Sequence, residues 1–187
     1  MTTAVTLIRR LHQHRTWVNE NLLLTASALS DDQLHQNFPI GQGSIWKSLL
    51  HLLAGEFVWL EALVGNDDPL MQGDLPRRIP GNQLGEGRIE SFAELRQKWR
   101  QLQQRWDHYL AELKPDHLDV IVYKVSTSSG FGQRFGAKRL DVLLHVCTHA
   151  HYTTAQVMNM LRQVGIVNLP ETMLISLARQ EADVASK

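Results

Sequence analysis

At 187 residues, with 43% hydrophobic and 20% charged side chains, the chain has the composition of an ordinary globular protein and excludes a disordered one. Its 19 basic and 19 acidic residues cancel, so no global field gathers nucleic acid or an acidic membrane surface. A single cysteine, Cys147, excludes an internal disulfide, and no apolar run has signal-peptide or membrane-span length. A cytoplasmic protein with no nucleic-acid or membrane partner is expected.

The first helical run, about residues 4–28, sets Leu7, Leu11, Val18 and Leu22 at three- and four-residue spacings. Ser30-Asp-Asp-Gln33 reads as a capping box opening a short helical turn, and residues 37–43, with Pro39 and two glycines, read as a loop. Ser44 caps a second long helix that runs to about Val64 and stops at Gly65. Residues 65–90, with Pro69, Pro76 and Pro80, form a connection long enough to suggest a functional role. Ser91-Phe-Ala-Glu94 is a second capping box. The helix it opens runs to about Leu113 and buries Trp99, Leu102, Trp106 and Leu110.

Residues 119–125 are β-rich, 126–130 are turn material, and 131–135 are expected to pair back as a small hairpin. Lys138 to Val164 is the fourth long helix, ended by Gly165, and Pro170 opens a shorter last one. The fold class expected is mainly all-α: one domain over residues 1–187, a four-helix bundle with a long crossover loop, a hairpin and a C-terminal helix.

Nine histidines are spread along the chain. His12, His14, His35, His108 and His117 lie among polar neighbours or at helix ends and are expected on the surface or in caps. The cluster His145, His149 and His151 lies inside an otherwise apolar helix. At about 100° per residue, His145 and His149 share a face and Gln156 falls between them, while His151 points about 200° away from His149. His151 is therefore expected in the core or at a subunit interface. Cys147, about 160° from His149, is expected to be inert packing.

On the second helix His51 shares a stripe about 60° wide with Ser44, Ser48, Gly55 and Ala62. Cores fill with large side chains to crystal-like density, so small residues around an imidazole suggest space kept open, or else close helix–helix approach.

The pattern Ser44 … His51-Leu-Leu-Ala-Gly-Glu56-Phe-Val-Trp59, with Leu143-Leu-His-Val-Cys-Thr-His149 … Gln156, resembles the DinB/YfiT-like family of metalloenzymes over nearly the whole chain. The resemblance implies a four-helix bundle, often homodimeric, with a divalent metal on three histidines and a thiol-dependent transferase or related activity. Carried over by position, the first ligand is His51 and the second His149. The third position holds Thr153, a poor ligand for a borderline ion. His145, one turn before His149, offers a substitute, giving a candidate zinc or nickel site of His51, His145 and His149 with Glu56 and Gln156 as supporting groups.

Two readings follow. In one, a bound metal activates water or a low-molecular-weight thiol for transfer or hydrolysis. In the other, Thr153 marks a degenerate metal site, and the protein is a metal-free binding module whose pocket holds a small apolar ligand or, as a further alternative, a structural or stress-associated dimer with no small-molecule site. A homodimer is expected in either case. The fourth helix carries Leu140, Leu144, Cys147 and Met158 on one side and Val142, Val146 and Met160 on the other, and both sides need cover.

Overall fold

The computed structural model describes residues 1–186. Four long helices make the body: α1 (Ala4–Ala26), α3 (Ile45–Leu63), α4 (Phe92–Ala111) and α5 (Arg139–Gln163). The short α2 (Asp31–His35) lies between the first two, and α6 (Leu174–Ala185) follows α5. Strands β1 (Ile121–Val125) and β2 (Arg134–Lys138) form an antiparallel hairpin between α4 and α5.

The long helices form a ring in which α3 lies beside α5 and α4, and α1 beside the same two. The long 64–91 connection therefore joins neighbours. The diagonal steps are made by the α2 segment, from α1 to α3, and by the hairpin, from α4 to α5. That places the hairpin against the edge shared by α3 and α5.

Local chemistry accounts for the helix starts. Thr3, Ser30, Ser44 and Ser91 each accept a hydrogen bond from a first-turn N–H, supplying a partner the helix cannot provide itself. The Ser30/Gln33 box closes in both directions. At Ser91 only one half forms, because Glu94 accepts from the N–H of Glu90 at 3.2 Å instead of the cap's own. The last helix begins at Leu174, four residues after Pro170, since residues 171–173 run without helical structure. The second strand pairs later than residues 131–135, with Val122 opposite Ala137 and Lys124 opposite Phe135.

Trp99, Leu102, Trp106 and Leu110 of α4 are buried as their spacing predicts. Helix α1 follows expectation only in part: Val18 and Leu22 are buried, Leu11 is half-buried and Leu7 is exposed. Its buried stripe includes Val5, Ile8, His12, Arg15, Asn19, Leu22 and Ala26, in alternating three- and four-residue steps. Three polar residues occupy that stripe, which is why apolar spacing alone misplaces the face. His12, expected on the surface, is 1% exposed. Its Nε2–H donates to the Leu143 carbonyl, and its ring stacks on Trp106 with centroids 4.9 Å apart.

Candidate functional site: a histidine-bearing cavity between two helices and a hairpin

Helices α3 and α5 bring His51 and His149 together. Their Nε2 atoms are 3.2 Å apart, and the rings meet edge to face. His51 is fixed from behind: a carbonyl can only accept, so its Nδ1 carries the proton and donates to Pro80 O at 2.8 Å. In the neutral ring Nε2 is then the lone-pair atom, and His149 Nε2–H is its donor. The Pro80 carbonyl comes from the long 64–91 connection, which lies on α3 so closely that a Cβ on Gly81 would meet the backbone of His51 at 2.6 Å. Gly81 also needs its positive φ of 83°, so the turn that ties His51 depends on glycine there.

His149 rests on Gly55, where an added Cβ would lie 3.1 Å from its Cε1. Burial, and then the charges of His51 and His145, hold the His149 imidazole down to about 4. It is a neutral hydrogen-bonding group at physiological pH.

His145 lines the same cavity, but the three rings do not form a metal-holding group. Its ring centroid is 5.8 Å from that of His149, and its ring is packed edge-on against Trp59 at 5.1 Å. Thr153, at the position where the family places its third histidine, is 2% exposed and lies outside the cavity lining. Among the described residues no three His, Cys, Asp or Glu side chains converge in a way that holds a metal ion. The two Nε2 atoms span a distance close to the roughly 3.3 Å edge of a tetrahedral zinc site, but the third protein donor is missing. The donor set does not fit a three-histidine ion.

The supporting residues are also redistributed. Glu56 faces α1, away from the histidines, and is 1% exposed. Its Oε1 accepts from Asn19 Nδ2 at 2.7 Å, and its Oε2 lies 3.1 Å from Arg15 Nη1. Burial raises its carboxyl above the usual range, against the opposing pull of Arg15 and Asn19. Gln156 packs under the 37–43 loop at Gly41, not in the cavity. His151 is exposed, neither in the core nor near His149. Cys147 is half-buried, and burial pushes its thiol up to about 12, which fits inert packing.

The small-residue stripe keeps space open only at Gly55. Ser44 and Ser48 are fully packed, with Ser48 Oγ donating to the Ser44 carbonyl at 2.8 Å. At that end close helix approach is the reason for the small side chains.

The histidine pair opens into a cavity of about 630 Å³. Val58 and Trp59 of α3 form one wall, Ile79 and Pro80 a second, and Val122, Lys124, Phe135 and Ala137 of the hairpin the third. Residues 126–129 at the hairpin turn edge the opening. The sequence pattern includes Trp59 but passes over Lys124. The signal was available in the period-two pattern of β1, which puts Lys124 on the same face as the buried Val122.

The comparisons agree with this architecture. A solved structure of a DinB-like protein from Bacillus cereus ATCC 10987 superposes with a TM-score of 0.56 at 16% identity, covering 87% of this chain and 95% of that one. No curated protein matches the sequence. No helix among the described residues is long and apolar enough to cross a membrane. The family described as the DinB superfamily matches residues 14–157, well over half of the sequence, and the chain belongs to it.

Proposed function

We propose that this DinB-superfamily chain is a small-molecule-binding protein whose cavity works without a metal ion. The observation that carries the reading is the donor set: two imidazoles meet at 3.2 Å, with a buried threonine at the third family position and His145 engaged with Trp59. A cavity of about 630 Å³ lies within the range that encloses small ligands, and its walls are mostly apolar with a few polar groups, as such sites require. His51 and His149 line it as a hydrogen-bonded pair, held in one tautomer by Pro80.

A second reading is a divalent ion held by His51 and His149 in support of transferase or hydrolase chemistry. The specific observation favouring it is the separation of the two Nε2 atoms, close to that of two ligands on one tetrahedral ion.

Elemental analysis of protein purified without added metal, combined with binding of the uncharged apolar dye phenylnaphthylamine, tests the proposal. The expected result is metal well below one ion per chain, with dye binding unaffected by a chelator. One zinc or nickel per chain, lost in both His51→Ala and His149→Ala, overturns it in favour of the second reading.

A further inference from the structure

We infer that the cavity beside His51 and His149 takes a small monoanion with an apolar body, and that Lys124 binds its anionic head. The inference rests on the ligand-pocket reading above and adds the chemical class of the ligand.

Among the described residues, the charged side chains less than a tenth exposed are Arg15, Glu56, Asp74 and Lys124. Three are accounted for within the protein. Arg15 and Glu56 pair with each other, and Asp74 accepts from the N–H groups of Gly81 and Gln83 and from the Gln83 side chain. Lys124 is the exception. It is 9% exposed, and no carboxylate lies within salt-bridge distance of its ammonium. Its hydrogen-bond partner is the neutral carbonyl of Val125, at 3.0 Å. A buried cation with no carboxylate in direct contact is costly, and chains that keep one usually have a use for it.

The surroundings of Lys124 point to that use. It lines the cavity, and no Asp or Glu lines the cavity with it; Asp68 is the carboxylate whose charge reaches the ammonium, from beyond salt-bridge distance. Its Nζ stands 5.3 Å from the centre of the Trp59 ring, which holds the ammonium at the wall. Thr127, a little further along the chain, adds a hydroxyl at the same edge, whereas the Ser126 hydroxyl donates to the Ser129 carbonyl. Val58, Ile79, Val122 and Phe135 supply an apolar body site. One unpaired positive charge balances one negative charge, so the occupant is a monoanion of the carboxylate or sulfonate class.

Two dyes of nearly the same aromatic frame test this: anilinonaphthalene sulfonate, which carries the anion, and phenylnaphthylamine, which does not. Their affinities are measured on the wild-type full chain and on Lys124→Met, Lys124→Arg and Ala137→Trp. Wild type is expected to prefer the sulfonate. Lys124→Met should weaken the sulfonate by about tenfold or more and leave the neutral dye unchanged. Lys124→Arg should retain most of the preference. Ala137→Trp, which fills the cavity, should weaken both. Sulfonate binding that is indifferent to Lys124→Met overturns the inference while leaving the pocket reading in place. Failure of both dyes to bind wild type, or binding of both unaffected by Ala137→Trp, overturns the pocket reading and the inference with it. Thermal unfolding of the ligand-free variants guards the interpretation. Lys124→Met should melt at or above the wild-type temperature, because it removes an unpaired buried charge, and a clear fall would make Lys124 structural and overturn the inference.

Discussion

Gly55 shows how one missing Cβ shapes the site. It lies inside α3, where glycine costs about 1 kcal/mol relative to alanine, and the atom nearest its absent side chain belongs to His149. Because His149 borders a cavity, its ring has room to give way. Gly55→Ala should therefore keep or raise the thermal midpoint, by up to about 4 °C for a chain of this size, while separating the two imidazoles. Imidazole nitrogen chemical shifts report the change, and an undisturbed His51–His149 pair would show that Gly55 has no part in seating the ring. Thr153 makes the complementary case. If the departure there is what leaves the donor set short, Thr153→His should create divalent-ion binding that wild type lacks. An equilibrium zinc titration measures it, and no gain in a variant whose circular dichroism is native would mean that this buried position no longer points at the pair.

At the scale of whole elements, α1 is held by a buried polar cluster as well as by its apolar residues. Arg15 and Asn19 reach across the core to Glu56 of α3, and Arg15 also lies over Trp106 with its guanidinium carbon 4.7 Å from the ring centre. Glu56→Ala leaves Arg15 buried without its counter-charge, which costs about 3–5 kcal/mol. Glu56→Gln keeps an acceptor for Asn19 and should cost distinctly less. Urea unfolding ranks the two, and equal losses would show that shape rather than charge holds the cluster.

The same cluster explains what the sequence made legible and what it did not. Caps, helix lengths and the α4 stripe follow from local chemistry and period, so Ser44, Ser91 and Trp106 could be read directly. The His51–His149 pairing came through family position, and the structure supplies the distance. The faces of Glu56, His12 and Lys124 were hidden because each is a polar residue in a core position. Its partner lies far away in sequence or, for Lys124, is not a protein carboxylate at all. Spacing counts apolar residues and passes over such cases. Gln156 and His145 were placed correctly by azimuth, yet neighbours that azimuth ignores, Gly41 and Trp59, engage them.

For the molecule as a whole, the buried histidines set a direction for acid sensitivity. Burial holds His12 well below its usual range, with the charge of Arg15 adding to the effect, and His149 is lowered to about 4. In the unfolded chain these rings take up protons near pH 6.5, whereas the folded state resists protonation until lower pH. Below about pH 6.5 the unfolded state thus binds more protons, and stability falls as pH drops toward the folded-state values. His12→Phe, which keeps a ring against Trp106, should flatten that dependence. Thermal midpoints between pH 7 and pH 5 measure it, and an unchanged slope would remove His12 as a cause.

Assembly turns on how α5 is covered. Val142, Val146 and Met160 are buried in the bundle, while Leu140, Leu144, Cys147 and Met158 on the other side are only half-buried. The C-terminal segment is the first candidate cover, but its ties run mainly to α1. Glu181 binds Arg10 and Gln13, the Thr172 carbonyl accepts from His14, and the Glu171 carbonyl accepts from Asn21. Leu177 is the one residue of α6 that is buried among those described. Met173 and Leu174 instead edge a second cavity of about 370 Å³, shared with Leu144, Cys147 and His151 of α5. Met173 and Ile175 stay exposed at 57% and 55%. A segment held by polar ties and one leucine leaves this side of α5 incompletely covered, and a second copy packed about a two-fold axis would supply what is missing. The expected solution mass is therefore twice 21.3 kDa at micromolar concentration. Multi-angle light scattering measures it, with Met173→Glu as the discriminating variant. The substitution should shift the mass toward one chain without loss of helical signal, because Met173 is exposed at the edge of that cavity, just ahead of α6. A wild-type mass near 21.3 kDa would instead show that the C-terminal segment is cover enough.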